Sequence, residues 1–88
     1  MEFSIVIPVY NEAQNVRPLL TEISRVVPGT GGCEVIYVDD GSDDDTAAEL
    51  RRALHDFPAL RVLHHARRSG QSSALLSGVR AARAPWVV

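Results

Sequence analysis

The sequence predicts an α/β fold, in which a doubly wound parallel sheet is covered by helices on both faces to give three layers. Two observations predict this fold class. Short apolar segments rich in β-branched residues alternate with segments of helical periodicity, in the order β-α-β-α-β-α-β. A hydrophobic fraction of 45% over 88 residues suits one small core. Strands connected through helices in this way run parallel, with right-handed crossovers.

The first strand is predicted at Phe3–Val9, a short β-branched segment. Apolar residues at helical spacing follow up to Val27, and Asn15 is placed to cap the N-terminus of this first helix. Pro18 then falls in the first turn, where the N–H that proline lacks would have no helical partner. The segment 28–32, Pro-Gly-Thr-Gly-Gly, ends the helix.

The second strand is predicted at Glu34–Val38, and the second helix at residues 46–54. Three acids at 43–45 precede that helix, where they can cap its positive end. The remaining elements are, in order, a third strand at Leu60–His65, a third helix at Gln71–Arg83 and a fourth strand at Trp86–Val88.

Composition and charge exclude several classes of protein. The formal charge is −2, and the nine basic residues, all arginine, are scattered along the chain, so the sequence predicts no nucleic-acid partner. Cys33 is the only cysteine, which excludes an internal disulfide and predicts a reducing, cytoplasmic compartment. The residues before Pro8 lack the basic start of a signal peptide, and no apolar segment approaches the ~20 residues of a membrane helix.

Ligands of doubly wound sheets bind outside the carboxyl ends of the strands, so the loops after the first three strands are the candidate site. The first loop carries Tyr10, Asn11 and Glu12, which offer a ring for a base and polar groups for sugar hydroxyls. The alternative is a turn with a helix cap. That alternative explains Asn11 and Glu12 but leaves Tyr10 unexplained.

The second loop begins with Asp39 and Asp40 at the end of a buried strand. Adjacent carboxylates there repel each other and are costly to desolvate, which indicates a partner. One can accept from a base N–H, and the other can accept from a ribose hydroxyl or face a metal ion. Gly41 either lets the backbone approach a ligand or makes the turn. The acids at 43–45 are interpreted as solvated caps.

The third loop, Arg67–Ser73, places cations before a helix N-terminus of small residues, which favours phosphate binding. It lacks the Gly-x-x-x-x-Gly-Lys pattern of a P-loop, and the alternative for Arg68 is a solvated surface side chain. His64 and His65 are adjacent in the predicted third strand. Their side chains therefore face opposite sides of the sheet and cannot jointly chelate a metal ion.

The segments Ile5–Glu12 and Val38–Thr46 together resemble the family 2 glycosyltransferases of GT-A fold. They are most similar to the branch that transfers mannose or glucose to dolichyl or polyprenyl phosphate. Residues 67–82 also match the R-N-x-G-x-x-x-A segment and the later Gly and Ala positions of that family, so the resemblance spans residues 1–88. It implies a Rossmann-like three-layer parallel sheet that forms the nucleotide-binding, N-terminal half of a GT-A domain.

The resemblance implies a UDP- or GDP-hexose as donor and a dolichyl or polyprenyl phosphate as acceptor. It assigns no catalytic residue and no metal ligand to this chain. The residues that it implies for nucleotide binding are Pro8, Tyr10, Glu12, Val38, Asp39, Asp40, Arg67 and Gly70. Two positions depart from the family, since Arg68 stands where Asn is common and Ala84-Pro85 replaces Gly-Asp.

In that family the fourth strand leads into an Asp-x-Asp motif that holds Mg²⁺ or Mn²⁺ on the sugar diphosphate, and the sequence stops at Val88, before that motif. We therefore expect the 88-residue chain to be inactive alone, because stabilisation of the leaving diphosphate by the metal is lost. A half sheet also exposes a strand edge and apolar helix faces, which predicts a homo-oligomer. The lipid acceptor implies that the parent protein is membrane-associated at the cytoplasmic face.

Two other doubly wound folds are alternatives. A phosphoacceptor receiver domain, a non-enzymatic signalling module, carries an acidic pair after its first strand and another Asp after its third. Here the pair follows the second strand, and His65-Ala66 follows the third. A dinucleotide-binding domain has a glycine-rich turn after its first strand, where this sequence has Tyr10–Glu12.

Overall fold

The computed structural model describes residues 2–26 and 32–88, and within them the predicted elements occur in the predicted order. The strands and helices are β1 (Phe3–Val9), α1 (Ala13–Val26), β2 (Cys33–Asp39), α2 (Thr46–Ala53), β3 (Leu60–His64), α3 (Gln71–Ala81) and β4 (Trp86–Val87). The predicted end of the first helix, at Val27 and the segment 28–31, lies outside the described residues.

The strands form one parallel sheet in the order β3-β2-β1-β4. In register, Val9 of β1 lies beside Asp39 of β2, and Asp39 lies beside His64 of β3. The chain therefore builds from β1 towards β3 and then crosses back to place β4 on the other side of β1. Such reversals create a crevice at the carboxyl ends of the strands, where ligands of these folds bind.

The core is centred on β2, which is buried along its whole length, from Cys33 to Asp39. Its side chains alternate between the two faces of the sheet. The face under α1 and α2 contains Val9, Val16, Leu20, Val35, Tyr37, Leu50, Ala53 and Leu60. The face under α3 contains Val6, Ile36, Val38 and Ala74. The structure is thus the three-layer α/β arrangement that the alternating sequence predicts.

The first helix begins at Ala13, so the prediction of Asn15 as its cap is wrong. Glu12 precedes the helix instead. Its N–H donates to Thr46 Oγ1 (3.0 Å), and its carbonyl and carboxylate oxygens accept from the backbone and side-chain nitrogens of Asn15. Pro18 consequently lies inside the helix rather than in its first turn. It is exposed, and its missing N–H leaves one carbonyl of the preceding turn without a helical donor.

A buried polar cluster holds the amino ends of the strands together. Glu34 of β2 accepts hydrogen bonds from the Ser4 hydroxyl of β1, from the Arg61 guanidinium of β3 (2.8 Å) and from the Arg83 N–H (2.7 Å). Burial alone would raise the pKa of Glu34, but these hydrogen bonds outweigh it and lower the pKa to about 2. The ionised carboxylate therefore links three strands to the segment after α3.

Several large apolar side chains are exposed on α3 and near β4, namely Phe3, Leu75, Leu76, Val79, Trp86, Val87 and Val88. Among the described strands, β4 lies at one edge of the sheet. The helices described here are too short or too polar to cross a bilayer. The prediction of a homo-oligomer therefore concerns this set of exposed apolar residues.

Candidate functional site

Residues from all three predicted loops meet at the carboxyl ends of β1 and β2. They surround a cleft of about 240 Å³, here termed the rim cleft, lined by Pro8, Val9, Tyr10, Glu12, Asp40, Arg68 and Gln71. The lining combines an aromatic ring, two carboxylates, a guanidinium and an amide. The structure thus brings Tyr10, Glu12 and Asp40 together at one end of the sheet, as the parallel topology predicts.

The first two loops are tied to each other by hydrogen bonds. The Asn11 N–H donates to Ser42 Oγ (2.9 Å), and the Asp43 N–H donates to Asn11 Oδ1 (3.0 Å). Asn11 has a φ of 54°, in the left-handed region that asparagine tolerates better than most residues. The bond from the Glu12 N–H to Thr46 adds a third link. The residues on either side of Asn11 are therefore held in place.

The three acids at 43–45 are exposed, as their interpretation as solvated caps requires. Asp44 caps α2, because it accepts hydrogen bonds from both the backbone N–H (2.9 Å) and the hydroxyl of Thr46. The bond from the Thr46 hydroxyl is the main cause that lowers the pKa of Asp44. Asp45 directly precedes the helix but makes no capping bond through its side chain.

Asp40 is buried, and its carboxylate accepts three hydrogen bonds from the segment after β3. The Ser69 N–H (2.8 Å) and His65 Nδ1 (2.8 Å) lie against Oδ1, and the Gly70 N–H (2.9 Å) lies against Oδ2. The Ser69 N–H is the main cause that lowers the pKa of Asp40, and His65 and Gly70 act in the same direction against the effect of burial. Because a carboxylate oxygen accepts two hydrogen bonds, Oδ2 retains one acceptor direction among the described residues.

Asp39 is also buried, but it faces the opposite side of the sheet because successive side chains of a strand alternate. Its Oδ1 accepts from the Ser42 N–H (3.0 Å), and its Oδ2 lies 3.1 Å from His64 Nδ1. Asp39 does not line the rim cleft. The two adjacent acids therefore have separate donors on separate faces, which offsets the repulsion expected between them.

His64 and His65 were not candidates for the nucleotide site, yet each lies against one of the two carboxylates. Their side chains face opposite sides, as adjacent positions in a strand predict. The register gives the reason for the pairing: Asp39 lies beside His64, so the next residues, Asp40 and His65, also lie side by side. The signal in the sequence was an Asp-Asp and a His-His pair at the ends of two consecutive strands.

Gly41 makes the turn after β2 with a φ of 72°. A β-carbon at this position would lie 2.5 Å from the carbonyl carbon of Arg67 and 2.5 Å from the nitrogen of Arg68. Gly41 therefore makes the turn, as one interpretation predicts. It also permits a close backbone approach, as the other predicts, but the segment that approaches it is the third loop and not a ligand.

Arg68 lies over the ring of Tyr10, with its Cζ 4.1 Å from the ring centroid. It is exposed, as expected for a surface arginine, but the cation–π contact gives its guanidinium a defined partner. Both side chains line the rim cleft. Arg68 therefore occupies one face of the only aromatic ring in that lining.

Three further residues predicted to bind nucleotide do not line the rim cleft, namely Val38, Arg67 and Gly70. Val38 is fully buried under α3, so its side chain cannot contact a ligand. Gly70, with a φ of 100°, donates its N–H to Asp40. Arg67 is exposed, and its backbone packs on Gly41. Their roles in nucleotide binding stay predictions.

Within residues 2–26 and 32–88, no group of three or more His, Cys, Asp or Glu side chains converges where it could hold a metal ion. The Asp39 and Asp40 carboxylates instead accept hydrogen bonds from N–H groups. These residues therefore do not fit the site of a divalent cation, and the alternative in which one of them faces a metal ion has no support here.

Comparison of the sequence with known proteins places it in a family. The profile described as Glycosyl transferase family 2 matches residues 4–88. The chain is 36% identical over 85 residues to the dodecaprenyl-phosphate galacturonate synthase of Rhizobium johnstonii. The matched segment covers 94% of this chain and 25% of that protein. It is 31% identical over 90 aligned positions to the dolichol-phosphate mannosyltransferase of Saccharomyces cerevisiae. This match covers 100% of this chain and 34% of that protein. The chain thus spans a quarter to a third of the length of these relatives.

Solved structures give the same result for the fold. The mannosyltransferase PcManGT from Pyrobaculum calidifontis, in complex with GDP-Man and Mn²⁺, superposes with a TM-score of 0.86 at 30% identity over 93% of this chain and 24% of its own. S. aureus TarS 1-349 in complex with UDP-GlcNAc superposes with a TM-score of 0.88 at 27% identity over 100% of this chain and 25% of its own. The fold is the Rossmann-like sheet of the GT-A glycosyltransferases, and the receiver-domain alternative is not favoured. The chain belongs to glycosyl transferase family 2.

Proposed function

We propose that the rim cleft holds the nucleoside of a UDP- or GDP-sugar. The observation that carries this proposal is the meeting of the Tyr10 ring with the Glu12 and Asp40 carboxylates in one cleft at the carboxyl ends of parallel strands. An aromatic face stacks on nucleobases, and carboxylates accept from base N–H groups and ribose hydroxyls. The related structures with bound GDP-Man and UDP-GlcNAc support both nucleotides.

The volume of the rim cleft limits which part of the ligand it holds. Pockets for whole drug-sized molecules occupy roughly 300–1,000 Å³. The rim cleft, at about 240 Å³, is smaller than that range. The rim cleft is therefore sized for part of a nucleotide-sugar, and we assign the nucleoside to it, with the diphosphate and sugar outside it.

The diphosphate is best accommodated towards the N-terminus of α3. Gln71 is the first residue of α3 and lines the rim cleft, and helix N-termini favour anions. Arg68 lies in the same lining, and a guanidinium binds phosphate oxygens well. A base that stacks on the face of Tyr10 now covered by Arg68 displaces that side chain, which is then free to contact the diphosphate.

For the whole protein, we infer transfer of a hexose to a polyprenyl or dolichyl phosphate. The dodecaprenyl-phosphate and dolichol-phosphate enzymes among its relatives support this acceptor class. A divalent cation, Mg²⁺ or Mn²⁺, belongs to the same proposal, since a related structure contains Mn²⁺ with GDP-Man. Association with a membrane follows from the lipid acceptor, and the cytoplasmic face is part of the same proposal. No residue of this chain is assigned to the metal ion or to the chemical step.

Titration of the ¹⁵N-labelled chain with UDP and with GDP, followed by NMR, tests the nucleoside site. We expect saturable shifts of the amide signals of Tyr10, Glu12, Asp40 and Gly70 with at least one of the two nucleotides. Inorganic pyrophosphate is the matched control, because it carries the charge without the nucleoside. Equal shifts with pyrophosphate, or none with either nucleotide, would contradict the proposal.

A further inference from the structure

We propose that His65 is a positioning residue, which orients the Asp40 carboxylate towards the nucleoside and is itself anchored on α3 by Ser77. This inference rests on the proposed function, because that function gives Asp40 its ligand. The imidazole of His65 lies between the two partners: Nδ1 is 2.8 Å from Asp40 Oδ1, and Nε2 is 2.8 Å from Ser77 Oγ. Both polar atoms of the ring therefore have a partner.

The partners of the imidazole select its tautomer. Asp40 already accepts N–H groups from Ser69 and Gly70, so its carboxylate acts as an acceptor towards His65 as well. Nδ1 must then carry the proton. In the neutral ring Nε2 is consequently an acceptor, and the Ser77 hydroxyl donates to it. The hydrogen bonds therefore run in one direction: the Ser77 hydroxyl donates to His65 Nε2, and His65 Nδ1 donates to the Asp40 carboxylate.

The three donors of Asp40 differ in how firmly they are held. Ser69 is exposed and lies in the loop before α3, where Gly70 follows it. His65 directly follows β3, and its backbone N–H continues the sheet by donating to the Asp39 carbonyl (2.9 Å). Its ring is then fixed at the far end by Ser77 within α3. His65 thus connects Asp40 to β3 and α3 through its side chain, whereas Ser69 belongs to the loop and Gly70 is the N-cap residue of α3.

The orientation of the carboxylate decides which acceptor remains for a ligand. Oδ1 is occupied by the Ser69 N–H and by His65, and Oδ2 is occupied by the Gly70 N–H alone. The unused acceptor direction among the described residues is therefore on Oδ2, and Asp40 lines the rim cleft. Without the donor from His65, Oδ1 also has an unused acceptor direction, and only the Ser69 and Gly70 N–H groups hold the carboxylate. The direction of the acceptor that Asp40 offers to a ligand is then less closely defined.

NMR of the unmodified chain tests the geometry without any substitution. We expect ¹⁵N chemical shifts of the His65 ring that identify the Nδ1–H tautomer, with Nε2 unprotonated, at a pH where the imidazole is neutral. The amide protons of Ser69 and Gly70 should lie downfield, as expected for donors to a carboxylate. A ring protonated at Nε2 instead would overturn the assignment, because that tautomer cannot donate to Asp40 through Nδ1.

Substitutions then test the effect on the ligand, with UDP and GDP as probes. His65→Phe keeps a ring but removes both nitrogens, and we expect roughly tenfold weaker binding of the preferred nucleotide, as for loss of one charge-assisted hydrogen bond. His65→Asn places an amide N–H near the position of Nδ1 and should recover most of that affinity. Ser77→Ala removes only the anchor and should give an intermediate loss. His55→Phe is the matched control, because His55 is exposed and does not line the rim cleft.

A double substitution separates positioning from general stability. If His65 acts through Asp40, then His65→Phe should add little further loss in a chain that already carries Asp40→Asn. Equal affinities of the unmodified chain and His65→Phe would overturn the inference and leave the proposed function intact. Full additivity of the two losses would also overturn it. An unmodified chain that binds neither nucleotide would refute the proposed function itself, and the inference would fall with it.

Discussion

Gly41 and Arg67 are packed so closely that a β-carbon on residue 41 would lie 2.5 Å from the carbonyl carbon of residue 67. The contact joins the loop after β2 to the loop after β3, and both loops contribute residues to the rim cleft. Gly41 also has a φ of 72°, a backbone conformation that is strained for residues other than glycine. The shape of the rim cleft therefore depends on the absence of a side chain at this position.

Gly41→Ala should displace the third loop and destabilise the chain by roughly 1–3 kcal/mol, the usual cost of a strained backbone conformation. Nucleotide binding should weaken as well, because Arg68 moves with the loop. Urea unfolding and titration with UDP or GDP measure the two effects. Gly32→Ala is the matched control, since a β-carbon there meets nothing within 4 Å. Unchanged stability and affinity of Gly41→Ala would show that the packing is looser than described.

Tyr10→Ala should weaken binding of the preferred nucleotide by about tenfold or more, because base–aromatic stacking contributes about 1–3 kcal/mol. Tyr10→Phe, which keeps the ring, should bind nearly as well as the unmodified chain. Tyr37→Phe is the control on a second tyrosine, which lies in the core and whose hydroxyl makes no hydrogen bond among the described residues. Isothermal titration calorimetry decides the matter, and equal affinities for all three variants would exclude stacking on Tyr10.

Glu34→Gln should lower the free energy of unfolding at pH 7 by roughly 1.5–3 kcal/mol, as for loss of hydrogen bonds to a charged group. The folded pKa of Glu34, about 2, lies below its ordinary value of 4.5. The stabilisation is therefore complete above about pH 4.5 and is lost as the pH falls towards 2. Urea unfolding at pH values from 7 to 2 measures the free energy of unfolding of the unmodified chain and of Glu34→Gln. The difference between these two free energies should become smaller as the pH falls from about 4.5 towards 2. Glu22→Gln, at an exposed position on α1, should show no such narrowing.

The chain by itself should transfer no hexose. The proposed function assigns residues of this chain to the nucleoside, and none of them to the chemical step or to the divalent cation expected to stabilise the leaving diphosphate. The test is incubation with UDP- or GDP-hexose, a polyprenyl phosphate and Mn²⁺, followed by analysis of the lipid fraction. A full-length relative is the positive control, and a glycolipid product above the level of the heat-denatured chain would refute this expectation.

The chain should self-associate through the exposed apolar residues of α3 and β4. Light scattering over a range of concentrations should give a mass above the 9.6 kDa of one chain. Leu76→Glu and Trp86→Glu should shift the mass towards that of the monomer. Leu54→Glu, at an exposed leucine just after α2, is the control and should not. A monomeric mass of the unmodified chain at every concentration would contradict the prediction.

The secondary structure was predictable because its signals are local. The β-branched segment Phe3–Val9 forms β1 with the predicted bounds, and β3 ends one residue before its predicted end. The end of α3 was not predictable in the same way. It stops at Ala81 rather than Arg83, because Ala82 becomes extended and the Arg83 N–H turns towards Glu34, 49 positions earlier in the chain.

The candidate site was predictable in part. The acidic pair after a buried strand and the aromatic ring after the first strand indicated the correct end of the sheet. The donors of Asp40 were not predicted, because His65, Ser69 and Gly70 lie 25, 29 and 30 positions away and meet it only through the register of β2 and β3. The contact between Arg68 and Tyr10 likewise depends on how two loops fold back on one edge.

The opposite orientations of Asp39 and Asp40 constrain how this protein can change during evolution. Inserting or deleting one residue within β2 exchanges the two faces of the strand, and every side chain beyond the change moves to the other layer. Apolar residues would then face the wrong helices, and each acid would lose its own donors. A one-residue change in the length of β2 should therefore disturb the fold more than a conservative substitution at any one of its apolar positions.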